Sequence, residues 1–349
     1  MARYAADALL GLARALLERS GLDRERAQVV ADVLVEGDLL GHDTHGLALL
    51  APYLSEIECG AMATAGDPAV LNDRPAALLW DGRRLPGPWL TQRAVDIAVE
   101  RARVFGAATV VIRRSHHIAC LAAYLRRATE QGMVLLVACS DPNAASVAPF
   151  GGTRAVFTPD PLAIGFPTAG DPVLVDVSAS ITTNGMSNRL RDEGRRFAHP
   201  WLLDASGATS DDPAVLAADP PGTILPLGGL DAGHKGYGLA LLNEALTGAL
   251  AGHGRADAKE GWGATVFVQA LDPDAFGGRE AFVRQAEFIA AQCRDNPPRP
   301  GIDRVRLPGQ RALARRREQL ASGVHLHPSI VPLLEPWAQR LGVSLPAAT

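Results

Sequence analysis

The sequence has few cysteines, and their spacing matches no metal or disulfide framework. Its 349 residues include four, namely Cys59, Cys120, Cys139 and Cys293, and no two of them form a Cys-x-x-Cys pair. Zinc ribbons and disulfide-rich secreted domains both depend on closely spaced cysteines. The spacing therefore excludes those two classes and predicts four reduced thiols.

Long apolar runs and an excess of basic charge are also missing. No stretch approaches the roughly 18 uncharged apolar residues of a membrane-spanning helix, and the N-terminal segment lacks the apolar core and cleavage site of a signal peptide. The formal net charge is −4, with both signs mixed along the chain, so nucleic acid and anionic membranes are not expected partners. We expect a cytoplasmic protein that acts on a small molecule.

What the sequence does contain is an alternation of helix and strand patterns around a sizeable core. Hydrophobic residues make up 47% of the chain, a value typical of globular proteins. Leucines and valines at helical spacing predict helices over the first 55 residues or so, interrupted at Gly21. In the middle, AATVVIRRS and MVLLVACS predict buried strands, with a helix before the first and another between the two. This alternation is typical of an α/β sheet.

The second half begins with a segment rich in proline, glycine and aspartate, from residue 141 to about 230, in which AVF, PLAIGF and PVLVDVS predict short strands. The Gly-rich sequence GHKGYG then predicts the start of a strong helix at Lys235. ATVFVQALDP predicts a strand and REAFVRQAEFIAAQCRDN an amphipathic helix. Two C-terminal helices follow, and we expect them to pack on the N-terminal ones.

Two pairs of histidines are the strongest candidates for chemistry, because histidine titrates near neutral pH. His116 and His117 follow a predicted strand, at the kind of sheet edge where ligands bind in α/β proteins. His42 and His45 lie three residues apart and would share a face if that segment were helical. The four histidines could serve acid–base catalysis, or they could bind a metal in a metal-dependent enzyme.

The familiar nucleotide-binding motifs are absent, but two weaker features suit a nucleotide. Neither a Walker loop nor a Gly-x-Gly-x-x-Gly turn is present. If GHKGYG opens a helix, its amides and Lys235 could hold a phosphate, although a simple tight turn is equally compatible. Asp176 ends an apolar strand, where a carboxylate can bind ribose hydroxyls or merely form a turn.

Nine segments in order resemble the malate/L-lactate dehydrogenase family, which includes ureidoglycolate and sulfolactate dehydrogenases and is unrelated to Rossmann dehydrogenases. They cover nearly the whole chain and are as follows: DLLGHDTHGL with PY after it, RRSHHIA, SDP with VAPFGG, DPLAIGFP, VDVSAS, WLLDASGATSDDP, LPLGG, GHKGYGLALL and RVRLPGQR. The resemblance implies an NAD(P)-dependent oxidoreductase that interconverts a small 2-hydroxy acid, or a related compound, with its 2-oxo form. A dinucleotide-binding protein without turnover is a further alternative.

The resemblance also implies site residues. His117 matches the catalytic acid/base, and His45 matches a histidine beside the substrate. The positions that match contacts to the dinucleotide are Ser140, Asp160, Asp176, Val177, Ser178 and Lys235. No metal is implied. NAD is slightly favoured over NADP, because a carboxylate at Asp176 would repel a 2′-phosphate.

The implied fold is a three-layer α/β/α arrangement with a mixed sheet, a non-Rossmann nucleotide-binding lobe and a helical domain built from both termini, usually as a homodimer. Residues 1–72 with 298–349 would form the helical domain, and 73–125 with 231–297 the central catalytic and dimerisation part. Residues 126–230 would form the nucleotide-binding lobe.

Three positions depart from the family pattern. Leu49 stands where an arginine grips the substrate carboxylate, Asp160 stands where an asparagine is expected, and Met186 replaces a lysine. Arg113 or Arg114 could supply the missing charge. Otherwise we expect poor activity on malate and lactate and better activity on a bulkier or less charged substrate.

Overall fold

A computed structural model describes residues 3–348. The α-helices it contains are α1 Ala6–Arg19, α2 Arg24–Leu40, α3 Leu50–Glu58, α4 Gly87–Phe105, α5 Ala122–Thr129, α6 Asn184–Asp192, α7 Gly229–Glu244, α8 Arg279–Arg294, α9 Gln310–Ser322 and α10 Ile330–Leu341. The strands are β1 Arg3–Tyr4, β2 Ala69–Arg74, β3 Ala77–Asp81, β4 Ala107–Ser115, β5 Val134–Ser140, β6 Pro161–Phe166, β7 Val173–Ser178, β8 Leu202–Leu203, β9 Thr209–Ser210, β10 Thr223–Ile224, β11 Ala264–Leu271 and β12 Val324–His325.

A seven-stranded mixed sheet forms the centre of the molecule, in the order β2-β3-β4-β11-β5-β6-β7. Within this sheet β3 and β4 pair in parallel, and the other neighbours are antiparallel. A Rossmann sheet is mostly parallel, so the predicted mixed, non-Rossmann sheet is confirmed. Because β11 runs antiparallel to both β4 and β5, those two strands end at the same edge of the sheet.

Helices cover both faces of the sheet, and the alternation of side chains along β4 shows why. Val110 and Ile112 point to the face covered by α4 and belong to the main core. Val111 points the other way and packs with Phe267 and Ala251, on the side of the π-helical turn Ala245–Ala249 that continues α7. Successive side chains of a strand face opposite sides, so a strand covered on both faces is apolar at consecutive positions. The predicted three-layer α/β/α arrangement is confirmed.

The two ends of the chain pack against each other, as predicted. Strand β1 pairs with β12, α1 contacts α10, and α2 contacts α9. Their apolar residues belong to one core with those of α4 and the sheet. A separate apolar cluster, which includes Val147, Phe157 and Leu202, lies within the turn-rich segment. The three-part division of the chain stays a prediction.

Two elements differ from the sequence prediction. Helix α7 begins at Gly229, six residues before Lys235, because the LPLGG turn supplies two glycines with positive φ, Gly228 at 99° and Gly229 at 62°. GHKGYG therefore lies inside the helix. The AVF segment forms no strand, since Phe157 makes an isolated bridge with Val147. Among the described residues, no helix is long and apolar enough to cross a membrane.

Candidate active site

A cavity of about 710 Å³ opens at the sheet edge where β4 and β5 end. Its wall comes from the turn after α2, the loop between β4 and α5, the ends of β5 and β7, and the start of α6. It brings together six of the candidate histidines and cofactor contacts: His42, His45, His117, Ser140, Asp176 and Ser178. The sheet edge that the sequence indicated therefore borders a cavity.

His117 lies in the loop just after β4, and its ring lines this cavity. The Nδ1 atom lies 2.9 Å from the Tyr53 hydroxyl and accepts a hydrogen bond from the Ala119 amide at 3.2 Å. The ring also contacts Trp262, with 4.7 Å between ring centroids, and stacks on His45 at 6.0 Å. Its orientation is therefore fixed by contacts on several sides.

The same contacts bear on the protonation of His117. An amide can only donate, so the Ala119 contact favours a neutral ring with its proton on Nε2. The Tyr53 hydroxyl donates to the His117 carbonyl at 3.2 Å and can accept from a protonated Nδ1, which leaves Nε2 without a proton. Burial, with His45 and His116 nearby, holds the pKa of His117 well below its usual value. Nε2 has no hydrogen-bond partner among residues 3–348, so it is available to a ligand.

His116, the neighbouring residue, is buried away from the cavity. It is 0% exposed, and its Nε2 lies 3.1 Å from Glu56 Oε2. Burial lowers the pKa of His116 to about 4, although Glu56 opposes the shift. Of the two adjacent histidines, His117 can therefore contact a ligand in the cavity, whereas His116 contacts Glu56 in the interior.

His45 belongs to a turn that follows α2 rather than to a helix, so the predicted common face with His42 does not form. The Thr44 hydroxyl bonds to His45 Nδ1 at 2.8 Å. Burial, with His42 and Arg189 nearby, lowers the pKa of His45 to about 4. A neutral imidazole therefore faces the cavity beside His117.

Buried Asp38 shapes this turn. Its Oδ2 accepts a hydrogen bond from the Leu47 amide at 2.7 Å, and burial raises the pKa of Asp38 to about 8. Gly46 passes so close that an added Cβ would lie 2.4 Å from Asp38 Cγ. The glycine after His45 is therefore required by this close approach.

Ser140 and Asp160 belong to a charged cluster beside the cavity. Ser140 Oγ lies 2.6 Å from Glu244 Oε1 and 3.0 Å from Arg255 Nη2. Asp160 is 1% exposed, bonds to Thr158 and lies 3.7 Å from Arg255. Burial and the neighbouring Glu244 raise the pKa of Asp160 to about 7. Ser140 lines the cavity, whereas the Asp160 side chain points into this cluster.

Three other predicted cofactor contacts lie on β7, the edge strand of the sheet. Asp176 and Ser178 line the cavity, and Val177 points to the opposite side and is 41% exposed. Asp176 Oδ2 accepts a hydrogen bond from the Ala122 amide at 2.9 Å, at the start of α5. Burial raises the pKa of Asp176, and His42 opposes that shift.

Lys235 is the predicted contact that the structure separates most clearly from this group. It is exposed, in the second turn of α7 rather than at its N-terminus. The free amides of the helix belong to its first turn, which here lies near Gly229. A phosphate at GHKGYG would therefore be held by side chains rather than by the helix terminus.

The four histidines do not form one metal-ligand group. Among the described residues, the group with metal-ligand geometry consists of His42, Cys120 and Asp176, whose ligand atoms lie within 4.8 Å of one another. The Asp176 carboxylate already bonds the Ala122 amide. The metal-dependent alternative would therefore need a different ligand set from the predicted one.

Leu49 lines the cavity, and neither candidate for a compensating arginine does. Arg113 and Arg114 both pair with Asp81, at 3.2 and 3.4 Å, and Arg114 also pairs with Glu260 at 3.0 Å. These two arginines are therefore engaged elsewhere.

Four residues at or beside the cavity were not predicted from the sequence: Tyr53, Trp262, Glu244 and Arg255. Tyr53 lies in the PY segment, at helical spacing within an apolar stretch. This pattern predicts a core residue rather than a site residue. Trp262 lies between two glycines in a polar loop, a position where an aromatic residue is unusual. That unusual position could have marked Trp262 as a candidate site residue. No sequence pattern marked Glu244 or Arg255.

Comparison with known proteins places the chain in a family. A model described as malate/L-lactate dehydrogenase matches residues 4–335. The chain belongs to the malate/L-lactate dehydrogenase family. It is 32% identical to an L-lactate dehydrogenase from Cupriavidus necator over 344 residues, which cover 97% of each chain. It is 28% identical to a malate dehydrogenase from Pyrococcus abyssi, over 98% of this chain and 95% of that protein.

Solved structures of the family share the whole fold. A putative malate/lactate dehydrogenase from E. coli superposes with a TM-score of 0.90 at 26% identity, over 99% of this chain and 96% of that one. A Δ1-piperideine-2-carboxylate reductase from Pseudomonas syringae gives 0.84 at 26% identity, over 97% and 100%. This malate/L-lactate dehydrogenase family member is an oxidoreductase that acts on CH–OH donors, and dehydrogenases of the family depend on a nicotinamide cofactor.

Proposed function

We propose that this protein is an NAD(P)-dependent dehydrogenase that interconverts a 2-hydroxy acid, or a related 2-hydroxy compound, with its 2-oxo form, using His117 as acid and base. The observation that carries the proposal is the His117 ring, oriented through Nδ1 and with Nε2 free beside the cavity. A positioned imidazole of this kind is suited to transfer a proton to or from a reacting oxygen.

The cofactor would supply the hydride acceptor in oxidation and the hydride donor in reduction. In reduction, the ring protonated on both nitrogens would donate its Nε2 proton to the substrate oxygen as negative charge develops on it, and it would keep the proton on Nδ1. In oxidation, the neutral ring with its proton on Nδ1 would take the hydroxyl proton at Nε2. The Tyr53 hydroxyl can donate to Nδ1 or accept from it, so it is compatible with either state of the ring. Neutral His45, stacked on His117, would lie beside the substrate without adding charge.

Another part of the cavity wall carries residues that would suit a dinucleotide. Asp176 and Ser178 lie on the same side of an edge strand, and their oxygens are suitable partners for ribose hydroxyls. Ser140, at the end of β5, completes this part of the wall. We propose NAD as the cofactor, because the Asp176 carboxylate would repel a 2′-phosphate. Val177, Asp160 and Lys235 stay candidate contacts outside the cavity wall.

We further propose a cytoplasmic homodimer. Large apolar side chains on α7 and its continuation are about half exposed, among them Leu241, Leu242 and Leu250. Burial of such side chains against a second copy would be favourable. Light scattering after size exclusion would test the stoichiometry, and a monomeric mass would contradict it.

The test of the function is a titration with NADH and with NADPH, followed by turnover of a panel of 2-oxo compounds. We expect tight binding of one cofactor, turnover without added metal, and no loss of activity with a chelator. Lys235→Met should weaken cofactor binding about 10-fold if its ammonium group bonds a phosphate. Failure of both cofactors to bind, or activity that depends on a bound metal, would contradict the proposal.

A further inference from the structure

A second cavity of about 910 Å³ adjoins the catalytic one. Asn184 and Asn188, one turn apart on α6, line both. We call the cavity that contains His117 the inner chamber and the second cavity the outer chamber. The outer chamber is bounded by α6, the loop around residues 145–155 and the segment around β10. None of the residues assigned above to the cofactor lines it.

The two chambers are lined by ionisable side chains of opposite type. Among the described residues, the acidic ones that line the inner chamber are Asp43, Asp141 and Asp176, and no lysine or arginine lines it. Asp43 is paired with Arg189 at 2.8 Å, whereas Asp141 and Asp176 form no ion pair with a lysine or arginine among the described residues. In the described part of the chain, Arg154 and Arg191 line the outer chamber and no acidic residue does.

The arginines of the outer chamber are available to a ligand. Arg154 is exposed and forms no ion pair within residues 3–348. Arg191 pairs with Asp192, its exposed neighbour in sequence, at 3.1 Å. An exposed ion pair of this kind is weak, so the guanidinium of Arg191 can also bind an anion.

Two hydroxyls of the outer chamber have no partner. Thr223 is 2% exposed, and both its Oγ1 and the Ser146 Oγ are buried without a hydrogen bond. The two residues are adjacent, because the Ile224 amide donates to the Ser146 carbonyl at 2.8 Å. Buried hydroxyls without partners are unfavourable in a folded protein and are normally satisfied. Both residues line the outer chamber, so an oxyanion bound there is a candidate acceptor for these hydrogen bonds.

A carboxylate beside the reacting carbon would be poorly stabilised in the inner chamber. It would lose water there, beside Asp141 and Asp176 and with no lysine or arginine from the described residues. Leu49 and Trp262 offer apolar contact instead. A substrate with an uncharged reacting end fits this lining better.

Building on the proposed function, we infer that the substrate is extended: its reacting hydroxyl or oxo end is uncharged and binds in the inner chamber. Its negative charge is an oxyanion, a phosphate or carboxylate at the far end, which Arg154, Arg191, Ser146 and Thr223 bind in the outer chamber. Arginine binds both oxyanions through paired N–H groups.

Binding of inorganic phosphate to the protein saturated with reduced cofactor tests the outer chamber, because the cofactor's own phosphate sites are then filled. The R154Q/R191Q double variant should weaken phosphate binding at least about 10-fold. Arg195→Gln is the matched control, since Arg195 is exposed, pairs with Glu193 and lies outside the chamber. We expect Arg195→Gln to bind phosphate as the wild type does.

Equal phosphate binding by the double variant would overturn the inference. So would a parallel loss of cofactor affinity, which would assign the outer chamber to the cofactor. If no cofactor binds at all, the proposed function fails, and the same titration of the free protein still tests the outer chamber.

Turnover tests the other half of the inference. In a series of 2-oxo compounds of equal length, a terminal phosphate in place of a hydroxyl should lower KM about 10-fold in the wild type and give no advantage in the double variant. Next to the carbonyl, an amide should be turned over better than a carboxylate. A strict requirement for that carboxylate would overturn the inference.

Discussion

The inner and outer chambers lie side by side and share two asparagines, yet their linings differ in charge and in how their polar groups are satisfied. In the inner chamber, aspartates and neutral histidines are held by hydrogen bonds from the backbone and from neighbouring side chains. In the outer chamber, arginines face open space and two hydroxyls lack partners. On the inference above, the inner chamber is organised before a ligand arrives, whereas the outer chamber is completed by one.

The largest effect should come from the acid/base group of the inner chamber. His117→Asn should lower kcat by about 10² to 10⁴-fold while cofactor binding persists, because the proton carrier is lost. His116→Asn is the control, since His116 does not line the cavity; its loss should alter stability more than turnover. Near-wild-type turnover of His117→Asn in steady-state assays would contradict the assigned role.

Adding an arginine to the inner chamber should reduce the difference between the two chambers in their ability to bind an anion. Leu49→Arg should raise kcat/KM for malate or lactate about 10-fold or more, because the guanidinium can pair with the substrate carboxylate. Leu49→Met keeps an apolar side chain of similar size and should give no gain. Wild-type kcat/KM for malate or lactate above about 10⁵ M⁻¹s⁻¹ would show that the inner chamber already accommodates a carboxylate.

A pH effect should arise from Asp38 beneath the inner chamber. Its pKa is raised from 3.8 to about 8, so the folded state keeps a proton that the unfolded state releases. This contribution to stability is complete below about pH 4 and is lost as the pH rises toward 8. The negative charge of Asp43 adds to the rise in the pKa of Asp38, and the positive charges of Arg189 and Arg315 oppose it.

Asp38→Asn resembles the protonated acid and can still accept from the Leu47 amide. The free energy of unfolding, measured with denaturant, should therefore decline less between pH 4 and 8 for this variant than for the wild type. Parallel profiles for the two proteins would show that Asp38 is ionised in the folded state.

The smallest effect should come from a single hydroxyl of the outer chamber. Thr223→Val removes an unpartnered buried hydroxyl without changing the shape of the side chain, so the melting temperature should hold or rise slightly. Phosphate binding should weaken by a few-fold, since one hydrogen bond is lost. A lower melting temperature with unchanged phosphate binding would mean that this hydroxyl serves the fold rather than a ligand.

The sequence predicted most of the elements that carry the inner chamber. Strands β4 and β5 match the segments AATVVIRRS and MVLLVACS closely, because strands buried on both faces are apolar at consecutive positions. The predicted start of α7 at Lys235 was wrong, because the helix opens at the turn formed by Gly228 and Gly229, which precedes GHKGYG in the sequence. His117 was chosen by its resemblance to the family and by its position after a strand, both of which are local in sequence.

The sequence by itself determined the alternation of helices and strands, the family and the positions of the two histidine pairs, since all of these depend on residue order over short spans. Only the tertiary structure decided which histidine faces the cavity, that Asp160 joins Glu244 and Arg255, and that Ser146 and Thr223 meet beside Arg154 and Arg191. Such groups join residues up to about a hundred positions apart. Their burial and charge depend on packing that no local pattern encodes.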